Sequence, residues 1–333
     1  MTKTKSRDDN AVPITADLEA SVGVGLDTLT ALFVLEGIKG FGPQKAKEVH
    51  GAGLTARQVV NDPQLLPIRG DRGRGFREAL AQLSDADRQS AEERARTQIR
   101  AAAKWGGRIL TYDSPTYPQI VFRSNNPIPV LFCRGDLSVL GHTQQGVACV
   151  GSRDIRKPYA DLHRSFAALG GEQGFTVASG FATGADRIGH EVARDLGTPT
   201  ICVMPCGLDR PFPPENRDLW DHFIGGTGGL FVSEFGYGIG ASALTLRKRN
   251  KLIVAFGLGV LISQSSAEGG AMNAYRFARE QRKPVATFES DGQKDTSGNR
   301  LIAEERRDGD RVFVLGASRG EQTEWLNGLS SST

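Results

Sequence analysis

Cysteine, histidine and methionine are scarce in this sequence of 333 residues, which has four, five and three of them, respectively. Cys202 and Cys206 form a CxxxC pair, but no second pair follows at a spacing typical of zinc sites. Cys149 and Cys202 lie in apolar runs, where a reduced cysteine packs as a small hydrophobic residue. The sequence therefore predicts no metal, no cofactor and no structural disulfide.

Long hydrophobic runs are also missing. A helix needs about 18 consecutive apolar residues to span a bilayer, and the chain has no such stretch. The first ten residues, MTKTKSRDDN, are polar and do not resemble a secretory signal. We therefore expect a cytoplasmic protein with no membrane partner.

The sequence also lacks a large excess of either charge. The 41 Lys and Arg residues balance 38 Asp and Glu residues to a net charge of +3. This balance excludes neither nucleic acids nor metabolites as ligands, so the distribution of charge has to decide between them. Glycine, in contrast, is abundant, with 41 copies, which indicates tight turns and close approach of the backbone to other groups.

The length favours more than one domain, and the composition changes along the chain. Residues 1–25 are predicted to be a disordered tail, and residues 26–104 a small all-helical domain. Residues 105–315 are predicted to be a Rossmann-like domain, and residues 316–333, rich in Gly, Ser and polar residues, a flexible tail.

The Rossmann-like region alternates short apolar strands with amphipathic helices. Predicted strands cover 147–150, 175–179, 200–204, 230–234, 259–263 and 284–288. Predicted helices cover 159–169, 184–196, 216–224, 247–257 and 270–281. Continuously apolar strands separated by helices indicate a parallel sheet covered on both faces. The predicted fold class is thus α/β, with a doubly wound, mostly parallel sheet of extended Rossmann-like type.

Several strand-to-helix turns combine small residues, free amides and cations. The carboxyl ends of parallel strands meet at one edge of the sheet, where ligands bind, and a helix N-terminus there attracts phosphate. We expect Gly180 and Gly184 to bring their backbone amides close to a phosphate. The turn residues predicted to bind phosphate are Gly151, Ser152, Arg153, Ser179, Gly180, Thr183, Gly184, Gly269 and Gly270.

A basic strip, residues 247–251, precedes a buried segment near the same edge. Four cations in five positions are typical of a surface that faces a polyanion, although a solvated helix turn has the same pattern. The residues of the strip predicted to contact DNA are Arg247, Lys248, Arg249, Asn250 and Lys251. Together with the turns, the strip predicts a groove for phosphates of a nucleotide or a nucleic acid.

Asp186 and His190 are four residues apart on one predicted helix, so their side chains can hydrogen-bond. As a pair they have the chemistry of an acid and a base, but no nucleophile accompanies them. We assign both a structural role: Asp186 holds the preceding turn and His190 packs beneath it.

Residues 38–46 have the pattern of a helix-hairpin-helix, in which a G-hydrophobe-G turn joins two helices and its amides face a DNA phosphate. Lys39, Gly40, Gly42 and Lys45 are the residues predicted to contact DNA there. The same turn also serves as a plain helix connector, and both interpretations stay open. The helical domain is therefore predicted to be of the helix-hairpin-helix or SAM-like type.

An ordered series of motifs, including Val150-Gly151-Ser152-Arg153, Gly207-Leu208-Asp209 and Arg249-Asn250-Lys251, resembles the DprA/Smf family of DNA-processing proteins, whose fold is Rossmann-like and SLOG-type. The resemblance covers roughly residues 28–315. It implies a homodimeric protein without catalytic activity that binds single-stranded DNA. It further implies that the protein passes this DNA to a RecA-type recombinase in DNA recombination and natural transformation.

The sequence departs from the family pattern at several places. Thr183 replaces an arginine that faces DNA, and Thr245-Leu246-Arg247-Lys248 replaces Phe-Pro, which restores a cation nearby. Glu268-Gly269-Gly270 replaces Ser-Gly-Ser, and no winged helix follows residue 315. These differences are compatible with a divergent member that works in a mobile element or in defence.

The alternative is a sensor of a nucleotide-derived ligand, or an enzyme similar to phosphoribohydrolases, on the same fold. Those hydrolases have a Pro-Gly-Gly-x-Gly-Thr turn, which the sequence around Gly269 and Gly270 lacks. The basic strip and the hairpin favour DNA, since a small ligand needs neither.

Overall fold

A computed structural model of the chain describes residues 13–125, 127–306 and 311–330. The chain divides into two compact units. Unit 1 comprises Met1–Tyr117 with Pro127–Cys133, and unit 2 comprises Pro118–Asn126 with Arg134–Thr333.

Unit 1 is helical, with one antiparallel strand pair. Its helices are α1 (Ala16–Val22), α2 (Leu26–Gly37), α3 (Pro43–Gly51), α4 (Ala56–Asn61), α5 (Gly70–Ala81) and α6 (Asp85–Lys104). Strand β1 (Arg108–Thr111) pairs antiparallel with β2 (Val130–Gly135), whose last two residues belong to unit 2. Helix α6 begins where the sequence predicts, since the Ser84 side chain caps it in a capping box with Asp87.

Unit 2 is an α/β domain. Its strands are β3 (Gly146–Val150), β4 (Thr176–Ser179), β5 (Thr200–Val203), β6 (Gly229–Ser233), β7 (Gly259–Ile262), β8 (Val285–Phe288) and β9 (Val312–Leu315). Its helices are α7 (Gln119–Arg123), α8 (Tyr159–Glu172), α9 (Ala185–Leu196), α10 (Arg217–Gly225), α11 (Ala243–Phe256), α12 (Ala271–Glu280), α13 (Ser297–Glu304) and α14 (Arg319–Ser330).

The seven strands of unit 2 are parallel and lie in the order β6-β5-β4-β3-β7-β8-β9. From β3 the chain first builds outward through β4, β5 and β6, and then returns to the other side of β3 with β7. The strand order thus reverses between β3 and β7, which is the switch point where such sheets bind ligands. The predicted doubly wound α/β fold is confirmed.

The predicted flexible tail at 316–333 is wrong for most of its length. Residues 319–330 form α14, and Trp325, Leu326 and Leu329 are buried in the core of unit 2. The Trp325 ring lies 5.7 Å from that of Phe166 in α8. Composition was misleading here because only one face of this polar helix is apolar.

The predicted tail at 1–25 also differs from the structure. Residues 1–12 lie outside the described residues, but residues 16–22 form α1, which Thr15 caps and which buries Val22. The predicted border between residues 104 and 105 is shifted as well, since residues 105–117 group with the helices of unit 1.

No single helix among the described residues has the length and apolarity to cross a membrane. Helices α1 and α2 pass that test only as a pair, and they are bent by 63° relative to each other.

Candidate nucleic-acid interface

A cleft of about 460 Å³ opens in unit 2 beyond the carboxyl ends of β3 and β7. It lies at the switch point of the sheet, and we call it the main cleft. Residues from four separate segments line it: Val150, Gly151, Ser152, Arg153, Asp154, Ala182, Asp186, Ala243, Leu246, Arg247, Arg249, Asn250, Ser265, Ser266, Gly269, Gly270, Ala271 and Asn273.

A smaller lobe of about 140 Å³ shares Arg153, Ala182, Leu246 and Arg249 with the main cleft. Its other lining residues are Gly180, Thr183, Pro205, Phe212, Pro213 and Glu215. The two spaces are therefore parts of one groove, with Arg249 between them. This groove brings together most of the residues that the sequence predicts to bind phosphate.

Arg249 is the central cation of the groove and is only 5% exposed. Its Nη1 atom lies 3.7 Å from Oδ2 of Asp186, beyond hydrogen-bond distance, and that carboxylate is also buried. Within the described parts of the chain, Nε and Nη1 of Arg249 have no hydrogen-bond partner. Burial lowers the pKa of Arg249, which Asp186 partly offsets. A buried guanidinium with donors unused is costly, and an anion in the groove would satisfy it.

Gly180 explains how Arg249 fits. A Cβ on Gly180 would lie 1.0 Å from the Arg249 Nη1 atom, so the guanidinium occupies the space of the missing side chain. Gly180 therefore makes room for the Arg249 guanidinium, and the predicted contact of its amide with phosphate stays a prediction.

Gly184 has a packing role in addition to the phosphate contact predicted for its amide, which stays a prediction. It has a φ of +73°, and a Cβ there would lie 2.3–2.4 Å from the carbonyl oxygens of Arg153 and Ser152. The next residue, Ala185, donates its amide to the Ser152 carbonyl at 3.0 Å. The glycine thus allows the turn after β4 to pack against the turn after β3.

Ser179 is likewise internal, since it is fully buried and donates its hydroxyl to the Cys149 carbonyl at 2.6 Å. Of the residues predicted in this turn, Gly180 and Thr183 reach the groove, in its smaller lobe.

The turn after β3 presents an exposed cation. Gly151 leaves no room for a side chain, because a Cβ would lie 2.3 Å from Oγ of Ser263. The Ser152 hydroxyl accepts from the Asp154 amide at 3.1 Å, which shapes the turn. Arg153 is exposed and makes no ion pair with any residue that the structure describes.

The basic strip lies inside α11, as the predicted helix 247–257 implies, although α11 begins earlier, at Ala243. The turn of the helix divides the strip. Arg247, Arg249 and Asn250 line the main cleft. Lys248 and Lys251 interact electrostatically with Glu234 instead. Burial raises the pKa of Glu234, and the two positive charges partly oppose this rise. Lys251 also lies 5.2 Å from the ring centroid of Phe277. Only part of the predicted strip therefore faces the groove.

The opposite wall of the main cleft contains Ser265, Ser266 and Asn273, which sequence reasoning missed. Asn299 fixes this wall by accepting from the Ser265 amide at 2.9 Å and donating to the Ser263 carbonyl at 3.0 Å. Their position in the sequence could have identified them. They follow the carboxyl end of β7, just as the predicted groove residues follow the carboxyl ends of other strands.

The predicted glycines of this wall have different environments. A Cβ on Gly269 would lie 2.5 Å from Oγ of Ser265, whereas Gly270 has open space around it. Asn250 donates to the Gly270 carbonyl at 3.3 Å, which ties α11 to the start of α12.

Asp186 and His190 have separate partners. Asp186 accepts from the Ala182 amide at 3.2 Å and so holds the turn after β4. The Nδ1 atom of His190 lies 2.8 Å from Oγ1 of Thr200, and the ring is fully buried. Burial, helped by the charge of Arg249, lowers the pKa of His190 to about 3. His190 is therefore neutral and screened from the groove, which is the geometry of a structural residue.

The predicted hairpin in unit 1 is formed by α2, α3 and the turn between them. Gly40 has a φ of +82°, and Phe41 is buried against Phe76 of α5 at a ring distance of 5.3 Å. Lys39 is exposed, whereas Lys45 forms an ion pair with Glu48. Gly42 is the N-cap of α3.

Residues 108–307 match the family model of DNA recombination-mediator protein A. The chain belongs to this family. Its members include proteins named DprA and Smf, and the resemblance seen in the sequence is thereby confirmed.

Two curated DprA-family relatives illustrate the similarity. Protein Smf of Synechocystis is 30% identical over 179 residues, which are 53% of this chain and 44% of the relative. DNA processing protein DprA of Streptococcus pneumoniae is 31% identical over 157 residues, which are 47% of this chain and 54% of the relative. The chain thus spans about half the length of the curated relatives it matches.

Two solved DprA structures have the same fold. The chain matches DprA from Streptococcus pneumoniae with a TM-score of 0.59 at 22% identity, over 92% of this chain and 96% of the other. It matches DNA processing protein A from Helicobacter pylori, solved for its single-stranded DNA binding mode, with a TM-score of 0.56 at 24% identity. That match covers 68% of this chain and 96% of the other.

The departures from the DprA pattern lie around the groove. Thr183, where the family resemblance leads us to expect an arginine, lines the smaller lobe, and Arg247 lines the adjoining main cleft. Glu268 is exposed and lies outside the residues that line either space. Arg247 thus supplies a cation in the main cleft, next to the lobe that Thr183 lines.

Proposed function

We propose that the chain binds single-stranded DNA through its sugar–phosphate backbone in the groove of unit 2. The observation that carries the proposal is Arg249, a buried guanidinium whose Nε and Nη1 atoms lack hydrogen-bond partners among the described residues. A phosphate at this point would accept charge-assisted hydrogen bonds and compensate the buried charge.

Exposed cations on both sides of Arg249 extend this site. Arg153 and Arg247 both line the main cleft, and neither forms an ion pair with a described residue. A strand that follows the groove would therefore meet three guanidinium groups, as backbone binding requires.

Phe212 favours a single strand over a duplex. It is partly exposed in the smaller lobe, next to the shared Arg249. A base of a single strand can stack on such a ring, whereas the bases of a duplex are already stacked on each other. The Helicobacter pylori protein is likewise described as having a single-stranded DNA binding mode.

The family membership supports a proposal for the wider role. We propose that the chain acts as a homodimer in the cytoplasm and passes single-stranded DNA to a RecA-type recombinase. Natural transformation and a related task of a mobile element or of defence would each use the same groove.

A nucleotide-derived ligand is the second candidate. The main cleft, at about 460 Å³, has the size of a small-molecule pocket, and serines and asparagines line its far wall. Such a ligand would use Arg249 as its phosphate receptor too, so competition has to separate the two candidates.

The test is binding of labelled oligo-dT across a salt series, with unlabelled duplex and free nucleoside phosphates as competitors. We expect oligo-dT to bind with a steep salt dependence, and free nucleotides to compete only weakly. Tight binding of a free nucleotide that excludes oligo-dT would instead favour the sensor, and its turnover would favour the hydrolase.

A further inference from the structure

The loop of residues 205–216, between β5 and α10, carries Phe212 into the smaller lobe of the groove. At the start of the loop, Gly207 donates its amide to the Ile239 carbonyl at 2.9 Å. Phe212 itself makes no hydrogen bond with any residue that the structure describes. The position of its ring therefore depends on how the two ends of the loop are held.

Arg187 of α9 holds the second end of this loop. Its Nη1 atom donates to the Glu215 carbonyl at 3.2 Å and to Oδ1 of Asn216 at 3.0 Å. Nη1 and Nη2 also donate to the two carboxylate oxygens of Asp218, at 2.9 and 2.7 Å. Nε donates to Glu191, one turn further along α9, at 2.8 Å. One guanidinium thus joins α9 to the end of the loop and to the first turn of α10.

This set of contacts needs a guanidinium and not just a positive charge. All three nitrogens of Arg187 donate, and they lie in the fixed plane of the side chain. The hydrogen bonds from Arg187 lower the pKa of Asp218 to about 2, so both partners are charged at neutral pH. A lysine would keep the charge but could not reach the same acceptors together.

Asn216 extends the contact to the turn after β4. It is fully buried, and its Nδ2 atom donates to the Phe181 carbonyl at 2.9 Å and to the Ala182 carbonyl at 3.2 Å. Ala182 lines both parts of the groove. Arg187, through Asn216, therefore connects the loop that carries Phe212 to the turn that carries Ala182.

We propose that Arg187 is a positioning residue for single-strand recognition, because it holds Phe212 in the smaller lobe, where a base stacks on the ring. The proposal rests on the DNA-binding role proposed above and deepens it by separating recognition of bases from recognition of phosphates. Arg187 is not among the described residues that line either part of the groove, so it acts through the loop.

A strand without bases distinguishes this role from a direct contact between Arg187 and DNA. An abasic oligonucleotide has the phosphates of oligo-dT but no ring that can stack. Loss of a phosphate contact would weaken binding of both strands equally. Loss of the positioning of Phe212 should weaken binding of oligo-dT and leave binding of the abasic strand unchanged.

The test measures the affinity of the full-length chain for oligo-dT and for an abasic strand of equal length. Arg187→Ala should lower the oligo-dT affinity by about fivefold, the effect of one lost base–aromatic stack, and spare the abasic strand. Phe212→Ala should cause a similar loss, and adding Arg187→Ala to it should cause no further one. Arg217→Ala is the matched control, because Arg217 pairs with Asp221 within α10, and it should leave the ratio of the two affinities unchanged.

Asp218→Asn is a second variant, which keeps Arg187 but removes the charge of an exposed partner, and it should shift the ratio in the same direction. Arg187→Lys should restore the ratio only in part. Equal loss of both strands in Arg187→Ala would make Arg187 a phosphate contact and overturn the proposal. Unchanged oligo-dT affinity, or a further loss in the double variant, would overturn it as well. Failure of the wild type to bind oligo-dT at all would instead overturn the proposed function, and the positioning role with it.

Discussion

Arg249 in the groove and Arg72 in α5 carry the same charge in opposite environments. Arg249 is buried over Gly180 and near a buried carboxylate, whereas Arg72 is exposed on the first turn of α5. Burying a charge costs desolvation free energy, which the surroundings of Arg249 have to offset. Gly180 and Asp186 therefore hold its guanidinium in one position. An exposed cation keeps its hydration and so has little desolvation cost, and salt screens its charge. Removing Arg249 should therefore cost stability, whereas removing Arg72 should not.

This contrast predicts the largest effect for Arg249→Ala. The change leaves Asp186 buried without its cation and opens a space over Gly180, so we expect a loss of about 3 kcal/mol in unfolding free energy. Binding of oligo-dT should be lost as well. Denaturant unfolding and oligo-dT titration check both expectations.

The double variant Arg249→Met/Asp186→Asn separates these two effects. It removes both charges, so it should regain part of the stability but none of the oligo-dT binding. Wild-type oligo-dT affinity in either variant would show that Arg249 is only a structural cation.

Gly184→Val should have the next largest effect, through packing rather than through a lost phosphate contact. The valine would have a positive φ and clash with the carbonyl groups of Ser152 and Arg153. We expect stability to fall by about 2–3 kcal/mol and DNA binding to fall with it. Loss of binding at wild-type stability, measured by denaturation, would return Gly184 to its predicted role at the phosphate.

Acid should weaken unit 2 through two buried histidines. Burial lowers the pKa of His190 to about 3 and that of His163 to about 4, below the ordinary value of 6.5. Between pH 6.5 and 4 the unfolded chain therefore binds protons at these histidines, whereas the folded chain does not. The free energy of unfolding is then highest above pH 6.5 and decreases as the pH falls toward 4.

Each histidine should remove about 1.4 kcal/mol per pH unit in that window. Denaturant unfolding at several pH values measures the slope, and His190→Gln should reduce it. A pH-independent stability between pH 6.5 and 4 would contradict the burial of both rings.

Much of the fold of unit 2 could be predicted from the sequence, because its buried strands are short continuous apolar runs between helices. Strand β9 was missed although Val312–Leu315 is a continuous apolar run like those of the predicted strands. Helix α14 was missed although Gln322, Trp325, Leu326 and Leu329 have helical spacing. The segment was predicted to be flexible because most of its other residues are polar.

The groove could be located from the sequence, but not the orientation of its side chains. Four turns at one sheet edge indicated where it lies. Whether Lys248 or Arg249 faces it depends on the phase of α11, which a run of four cations does not specify. The packing roles of Gly180 and Gly184 were not predicted, because a glycine in a sequence gives no hint of which neighbour fills the space beside it.

Neutralisation of single-strand phosphates by the exposed cations of the groove can be measured directly. The experiment is the salt dependence of oligo-dT binding for the wild type and for Arg153→Ala/Arg247→Ala. Both residues are exposed and unpaired among the described residues, so the unfolding midpoint should not change. The slope of log K against log salt should become less steep by about 0.7 for each charge, and affinity at low salt should fall. An unchanged slope and affinity in this stable variant would contradict the proposed binding of single-stranded DNA in the groove.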